Sequence, residues 1–288
     1  MVEHYQSSDA GLPPADPTTE GTDEQSLTVE AAIAQLTHPD LSLRYYAAWW
    51  LGKFAAGNPA AVEALMAALA DESDRTELGG YPLRRNAARA LGKLGDRRAV
   101  LPLVQCLESD DFYVREAAAQ SLGMLGDPSS VPALLPLLAG GVAAAQRVPG
   151  RPHLAQPCEA VLEALGNLAP GSPQQAAAIA FVEPFLTHSL PRVQYAAARA
   201  MYQLTQSSLY GDRLVQALQS EDINLRRAAL SDLGAVGYLP AAAAIAQAAT
   251  ENSFKLFSLK GLLRHHLHDH DAHSKDAIHL MSLMDQLL

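Results

Sequence analysis

The chain has 288 residues, about half of them hydrophobic, and a formal net charge of −10. That length is enough to bury a large core or stack a long array, and the acidic balance, with basic residues scattered rather than gathered in tracts, argues against nucleic-acid phosphates and anionic membranes as partners. Apolar runs are short and interrupted, no basic-then-apolar leader opens the chain, and Cys106 and Cys158 are too few for a disulfide framework, so a cytoplasmic protein without membrane insertion is expected.

Residues 1–26 are polar, Pro-rich and without periodicity, the composition of a disordered tail. From Leu27 the pattern is helical, and no run of alternating β-branched residues is long enough for a sheet. Residues 27–264 hold about six copies of one plan. "LSLRYYAAWWLGKF" from Leu41, "GGYPLRRNAARALGKLGD" from Gly79 and "DDFYVREAAAQSLGMLGD" from Asp110 are followed by "PCEAVLEALGNL" from Pro157, "RVQYAAARAMYQL" from Arg192 and "INLRRAALSDLGAVG" from Ile223. Residues 265–288 read as a His-rich connector and a short amphipathic helix.

Aligned on their Ala-Leu-Gly core, the copies place Leu43, Leu83, Val114, Pro157, Val193 and Leu225 in register at spacings of 31 to 43 residues, the range of two-helix repeats. Four places on, the column is Ala47, Ala87, Ala118, Val161, Ala197 and Ala229. Eight on, it is Leu51, Leu91, Leu122, Leu165, Met201 and Leu233. Small and large apolar residues thus share one helix face. Nine on, every copy has Gly except Tyr202, which either ends the helix or lets the next approach. Asp96 and Asp127 read as N-caps of intervening helices. The fold class is all-α, a right-handed α-solenoid of HEAT- or armadillo-like two-helix repeats.

One place after the origin stand Arg44, Arg84, Arg115 and Arg226, expected to form a structural ladder with Asp40, Asp110 and Asp222. Two and six places on, the columns hold Tyr45, Arg85, Glu116, Glu159, Tyr195 and Arg227, then Trp49, Arg89, Gln120, Glu163, Arg199 and Ser231. Residues four apart share a helix face, so these columns predict one stripe across the array, on its concave side. A solvated, ion-paired face would explain the charges. Tyr45, Trp49 and Tyr195 are costly to leave in water without purpose, and arginines beyond the ladder suit anionic groups, so a ligand or partner surface is expected.

"LSLRYYAAWWLGKF", "DESDRTELGGYPLRRNAARALGKLGD", "SDDFYVREAAAQ" and "VQYAAARAMYQL" carry a resemblance, over about residues 27–264, to the E (alpha) subunits of the E/F-type phycobilin lyases, most of all to those serving the phycocyanin α subunit and phycocyanobilin. The resemblance implies a lyase subunit active with a second HEAT-like subunit of F type. It implies a linear tetrapyrrole as substrate, phycocyanobilin or phycoerythrobilin, attached by a thioether to a phycobiliprotein α subunit, and no tightly bound cofactor. On that reading Tyr45, Trp49, Tyr81, Arg85, Arg89, Glu116, Tyr195 and Arg199 are bilin-binding candidates. The arginines would hold propionates and the aromatics the conjugated plane, while Glu116 is a weak candidate for proton donor. Tyr81 would be aimed at the stripe from a rigid Gly-Gly corner, with the insertion "DESDRTELGG" reaching the ligand. Cys158, at a helix start, is the better of two weak candidates for a transient adduct. The histidines 265, 266, 268, 270 and 273 lack the spacing of a closed metal site, and no metal is expected. A non-catalytic scaffold or chaperone for phycobilisome assembly is the alternative.

Overall fold

The computed structural model describes residues 27–77 and 79–288, so the expected tail lies outside the described residues. Its α-helices are α1 (Val29–Gln35), α2 (Leu41–Phe54), α3 (Pro59–Ala68), α4 (Pro82–Leu94), α5 (Val100–Cys106), α6 (Phe112–Leu125), α7 (Val131–Leu134) and α8 (Cys158–Leu168). They continue with α9 (Gln175–Val182), α10 (Pro191–Thr205), α11 (Ser208–Ala217), α12 (Ile223–Val236), α13 (Ala242–Gln247), α14 (Asn252–Asp269) and α15 (Lys275–Asp285). Long even-numbered helices from α2 to α14 stack side by side in one row, each packing on the next. Shorter helices form the second layer, and α15 closes it against α13 and α14.

Local chemistry sets the boundaries. Asp40, Asp111 and Asp222 accept from the backbone N–H two residues on and open α2, α6 and α12 at 2.8 Å each. Asp96 and Asp127 do the same for the 3-10 turns that enter α5 and α7. Gly95, Gly126 and Gly237 end α4, α6 and α12 in the left-handed region. The four-on and eight-on columns are almost wholly buried and supply the continuous core.

The nine-on glycines do not stop helices; they let the next helix in. A Cβ added at Gly52 would lie 2.7 Å from the Ala90 Cα, and one at Gly234 would lie 2.8 Å from the Ser258 Cα. At five of the six joints a glycine thus receives a small residue seven places past the neighbour's origin: Ala90, Ser121, Ala164, Ala200 or Ser258. That register makes α14 a seventh member of the row. Its own copy of the core is worn, with Lys255 where the others carry Ala or Val, so the six-copy count stops one helix short. For the same reason the expected boundary at 264/265 falls inside a helix: His265, His266 and His268 lie in the last turns of α14.

The arginine ladder exists, but its partners are not the predicted aspartates. Arg44 donates to Leu36 O, Arg84 to Ala70 O and Asp71 O, Arg115 to Ser109 O and Arg226 to Ser220 O. Each guanidinium therefore satisfies carbonyls at or just past the C-terminal end of the preceding short helix, where cations are favoured. Arg44, Arg115 and Arg226 also reach forward, to Asp71, Ala155 O and Ala249 O, and so stitch successive repeats. Asp40 and Asp222 are occupied as caps, and Asp110 pairs with Arg75.

Candidate functional site

The two polar columns run along the long-helix row as predicted, and its middle forms a chain of opposite charges. Arg89 on α4 stands 3.9 Å from Glu116 on α6. On α8, Glu159 meets Arg192 of α10 at 3.2 Å and Glu163 meets Arg199 of α10 at 3.6 Å. Arg199 also donates to Asp232 on α12 at 2.9 Å. Arg85 lies with its guanidinium 5.7 Å from the Tyr113 ring. The Nε atoms of Arg85 and Arg199 are buried without a hydrogen-bond partner among the described residues, so two guanidiniums of one stripe have unused donors.

Burial governs the carboxyls here. Glu116 is pushed above the usual carboxylate range by burial, against the pull of Arg89, Arg85 and Arg192 and with Glu163 pushing the same way. Burial also raises Glu159, offset in part by Arg192 and reinforced by Glu163 and Glu116. Asp232 goes further, to about 7, because burial outweighs Arg199, whose charge is already engaged by Glu163. A stripe that sets carboxyls raised by burial among guanidiniums, with Asp232 at about 7, has the means to hold an anion and to exchange a proton.

The aromatic candidates divide. Tyr45 and Tyr195 are half-buried against the core. Burial, with Asp74 beside it, raises the Tyr45 phenol. Trp49 is exposed and belongs to a surface cluster, 5.5 Å from Tyr46 and 6.4 Å from Phe54, with Lys53 over its ring. Tyr81 is a correction. It is 5% exposed, its ring lies 4.4 Å from the Arg84 guanidinium, and its N–H donates to Asp111. The corner that was to project Tyr81 is built into the scaffold: Arg44 holds Asp71 and Ser73, and buried Asp74 caps α4 through Leu83 N–H at 2.7 Å.

Of the two cysteines, the expectation for Cys158 is corrected, while Cys106 is a small core residue. Cys158 is the first residue of α8 but has no exposed surface, and burial pushes its thiol up to about 12. Burial takes Cys106 to about 11. Both are poor thiolates, because desolvation overrides any benefit of a helix start. The histidines satisfy local partners: His266 stacks on His270 at 4.4 Å and bonds Ser274, while His265 bonds Ala235 O. Sequence reasoning missed Asp232, although counting seven on finds it as the one carboxylate in a column that is otherwise Ala or Ser apart from Trp50 at the start of the row.

Comparison with known proteins decides the family. A HEAT-repeat model matches residues 81–146, and a model of the PBS lyase HEAT-like repeat matches residues 43–71. The phycocyanobilin lyase subunit alpha of Nostoc sp. PCC 7120 is 63% identical over 265 residues, covering 91% of this chain and 94% of that protein. The chain belongs to the phycocyanobilin lyase alpha-subunit family. The corresponding protein of Thermosynechococcus vestitus is 62% identical over 268 residues, covering 91% of this chain and 95% of that one. One chain of the solved complex of CpcE and CpcF of phycocyanin lyase from Nostoc sp. PCC7120 superposes with a TM-score of 0.85 at 61% identity, covering 96% of this chain and all of that one.

Proposed function

We infer that this chain is the alpha subunit of a heterodimeric bilin lyase. It acts with an F-type HEAT-like subunit to attach a linear tetrapyrrole, phycocyanobilin in the first instance, by a thioether to a cysteine of a phycobiliprotein α subunit. The observation that carries the bilin reading to particular residues is the alternation of Arg85, Arg89 and Arg199 with Glu116 and Glu163, in which two guanidiniums retain unused donors. Such a stripe matches a ligand with two propionates and ring N–H groups. Tyr45, Trp49 and Tyr195 extend it with aromatic surface. Family membership and the solved complex in which a relative is paired with a second subunit support the two-subunit form.

The nucleophile is the acceptor's thiolate, since Cys106 and Cys158 are buried thiols. Sulfur adds to the exocyclic double bond, the electron pair moves into the ring system, and the ring carbon takes up a proton. Holding the reactive carbon against the thiolate supplies most of the acceleration, and Glu116, raised by burial, is our candidate for the proton source. No helix of the described residues is long and apolar enough to cross a membrane, in keeping with work in the cytoplasm.

Co-expression with the F-type subunit, a phycobiliprotein α chain and a bilin pathway tests this reading. The acceptor should gain covalent zinc-enhanced fluorescence with both subunits and not with either alone. An acceptor that stays colourless, with the pair intact by light scattering, would favour the scaffold instead.

A further inference from the structure

One joint of the row breaks the packing rule of the other five. Between α10 and α12, Tyr202 stands where the other helices carry the receiving glycine, and Asp232 stands where they present Ala or Ser. The exchange replaces close backbone contact with a wedge of rings, Tyr202 against Tyr238 at 5.2 Å, and with a half-closed ionic group. Arg199 reaches Asp232 at 2.9 Å on one side and Glu163 at 3.6 Å on the other. The Arg199 and Asp232 side chains are only 13% and 14% exposed. An apolar joint of the kind used elsewhere would serve stacking at least as well as a buried ion pair, so stability does not account for it.

The charges around the joint do not balance. Facing Asp232 are Arg199 of α10 and Glu163 and Glu159 of α8, and with Arg192 of α10 against Glu159 three acids meet two bases. From α14, on the other side of α12, uncharged Ser258 packs against Gly234. Near the wedge, Tyr238 donates its hydroxyl to Asp212 of α11 at 2.6 Å. A propionate arriving at Arg199 would be a third carboxylate on one guanidinium. Such a site accepts the anion only if one resident carboxyl is neutral.

We propose that the Glu163–Arg199–Asp232 group is a proton-coupled propionate site, in which Asp232 takes up a proton as Arg199 turns from it to the carboxylate of the bilin. Asp232 is thus a positioning residue that acts through Arg199. The balance is simple: one propionate binds, one proton is taken from solvent onto the Asp232 carboxyl, and no covalent bond other than O–H forms. Titration of Asp232 near 7 places the uptake in the working range. The proposal rests on the bilin-lyase reading, and its test separates the two.

The test is calorimetric titration of the purified heterodimer with phycocyanobilin, without acceptor, in buffers of different ionisation enthalpy at pH 8. The wild-type pair should take up close to one proton per bilin, and its affinity should fall by up to ~10-fold per pH unit above neutrality. Asp232→Asn, which mimics the protonated carboxyl, should bind with no buffer dependence and with affinity flat between pH 6.5 and 8.5. Glu163→Gln, which leaves one carboxylate on Arg199, should bind with reduced uptake. Binding by the wild-type pair with no proton uptake, or the same uptake by Asp232→Asn, would overturn the inference and leave the lyase reading standing. No binding by any of the pairs would overturn both.

Discussion

The joint between α4 and α6 and the joint between α10 and α12 occupy equivalent places in one row and are built on opposite principles. At the first, Gly92 leaves so little room that a Cβ there would meet Ser121 Oγ at 2.5 Å, and Ser121 turns its hydroxyl to Ala88 O. At the second, Tyr202 and Asp232 replace both small residues, and contact between the helices is the loosest in the row. Repetition explains the first and cannot explain the second. A solenoid therefore reports its functional positions as departures from its own packing code.

The sharpest way to break the comparison is to put bulk into a regular joint. Gly52→Leu would drive a side chain into the Ala90 backbone and should cost more than ~3 kcal/mol, with loss of helicity by circular dichroism. Next in size is the corner before α4. Asp74→Ala leaves the buried Leu83 N–H without its partner and should cost ~1–3 kcal/mol in urea unfolding. Deleting residues 73–78 removes the same cap, so its effect should appear in melting before it appears in transfer.

A smaller effect separates the two joints by pH. Folding raises the Asp232 carboxyl to about 7, so between the ordinary carboxylate range and 7 the folded chain holds a proton that the unfolded chain has released. Stability from this residue is therefore present at low pH, falls as pH climbs through that window and levels off above it. Asp232→Asn should remove that decline, so its stability relative to wild type should rise between pH 5 and pH 8. A substitution in a regular joint, such as Ser121→Ala, should give a difference that does not change with pH. The smallest effect on folding is expected at an exposed position of the stripe, where Arg89→Gln should alter stability by no more than ~0.5 kcal/mol.

Much of this was legible in the sequence because repetition lets columns be compared. The small–large alternation, the caps Asp96 and Asp127, and the polar stripe all follow from residues recurring at fixed offsets. Three features were not legible, each for a physical reason. The turn before α4 speaks for a projecting Tyr81, whereas its placement depends on Asp111, thirty residues on, accepting its N–H. Charge alone pairs the ladder arginines with aspartates, but carbonyls left open at the helix ends take them instead. A helix start favours a thiolate at Cys158, but burial decides its chemistry.

The stripe itself is tested most directly by comparing two arginine variants in the heterodimer. Transfer of phycocyanobilin to the acceptor α chain should fall at least tenfold for the Arg85→Gln, Arg89→Gln double variant, with melting unchanged. Arg84→Gln, one place away on the ladder, should lower the melting temperature and keep transfer at temperatures where it is folded. Wild-type transfer by the double variant would contradict the assignment of the bilin to this stripe.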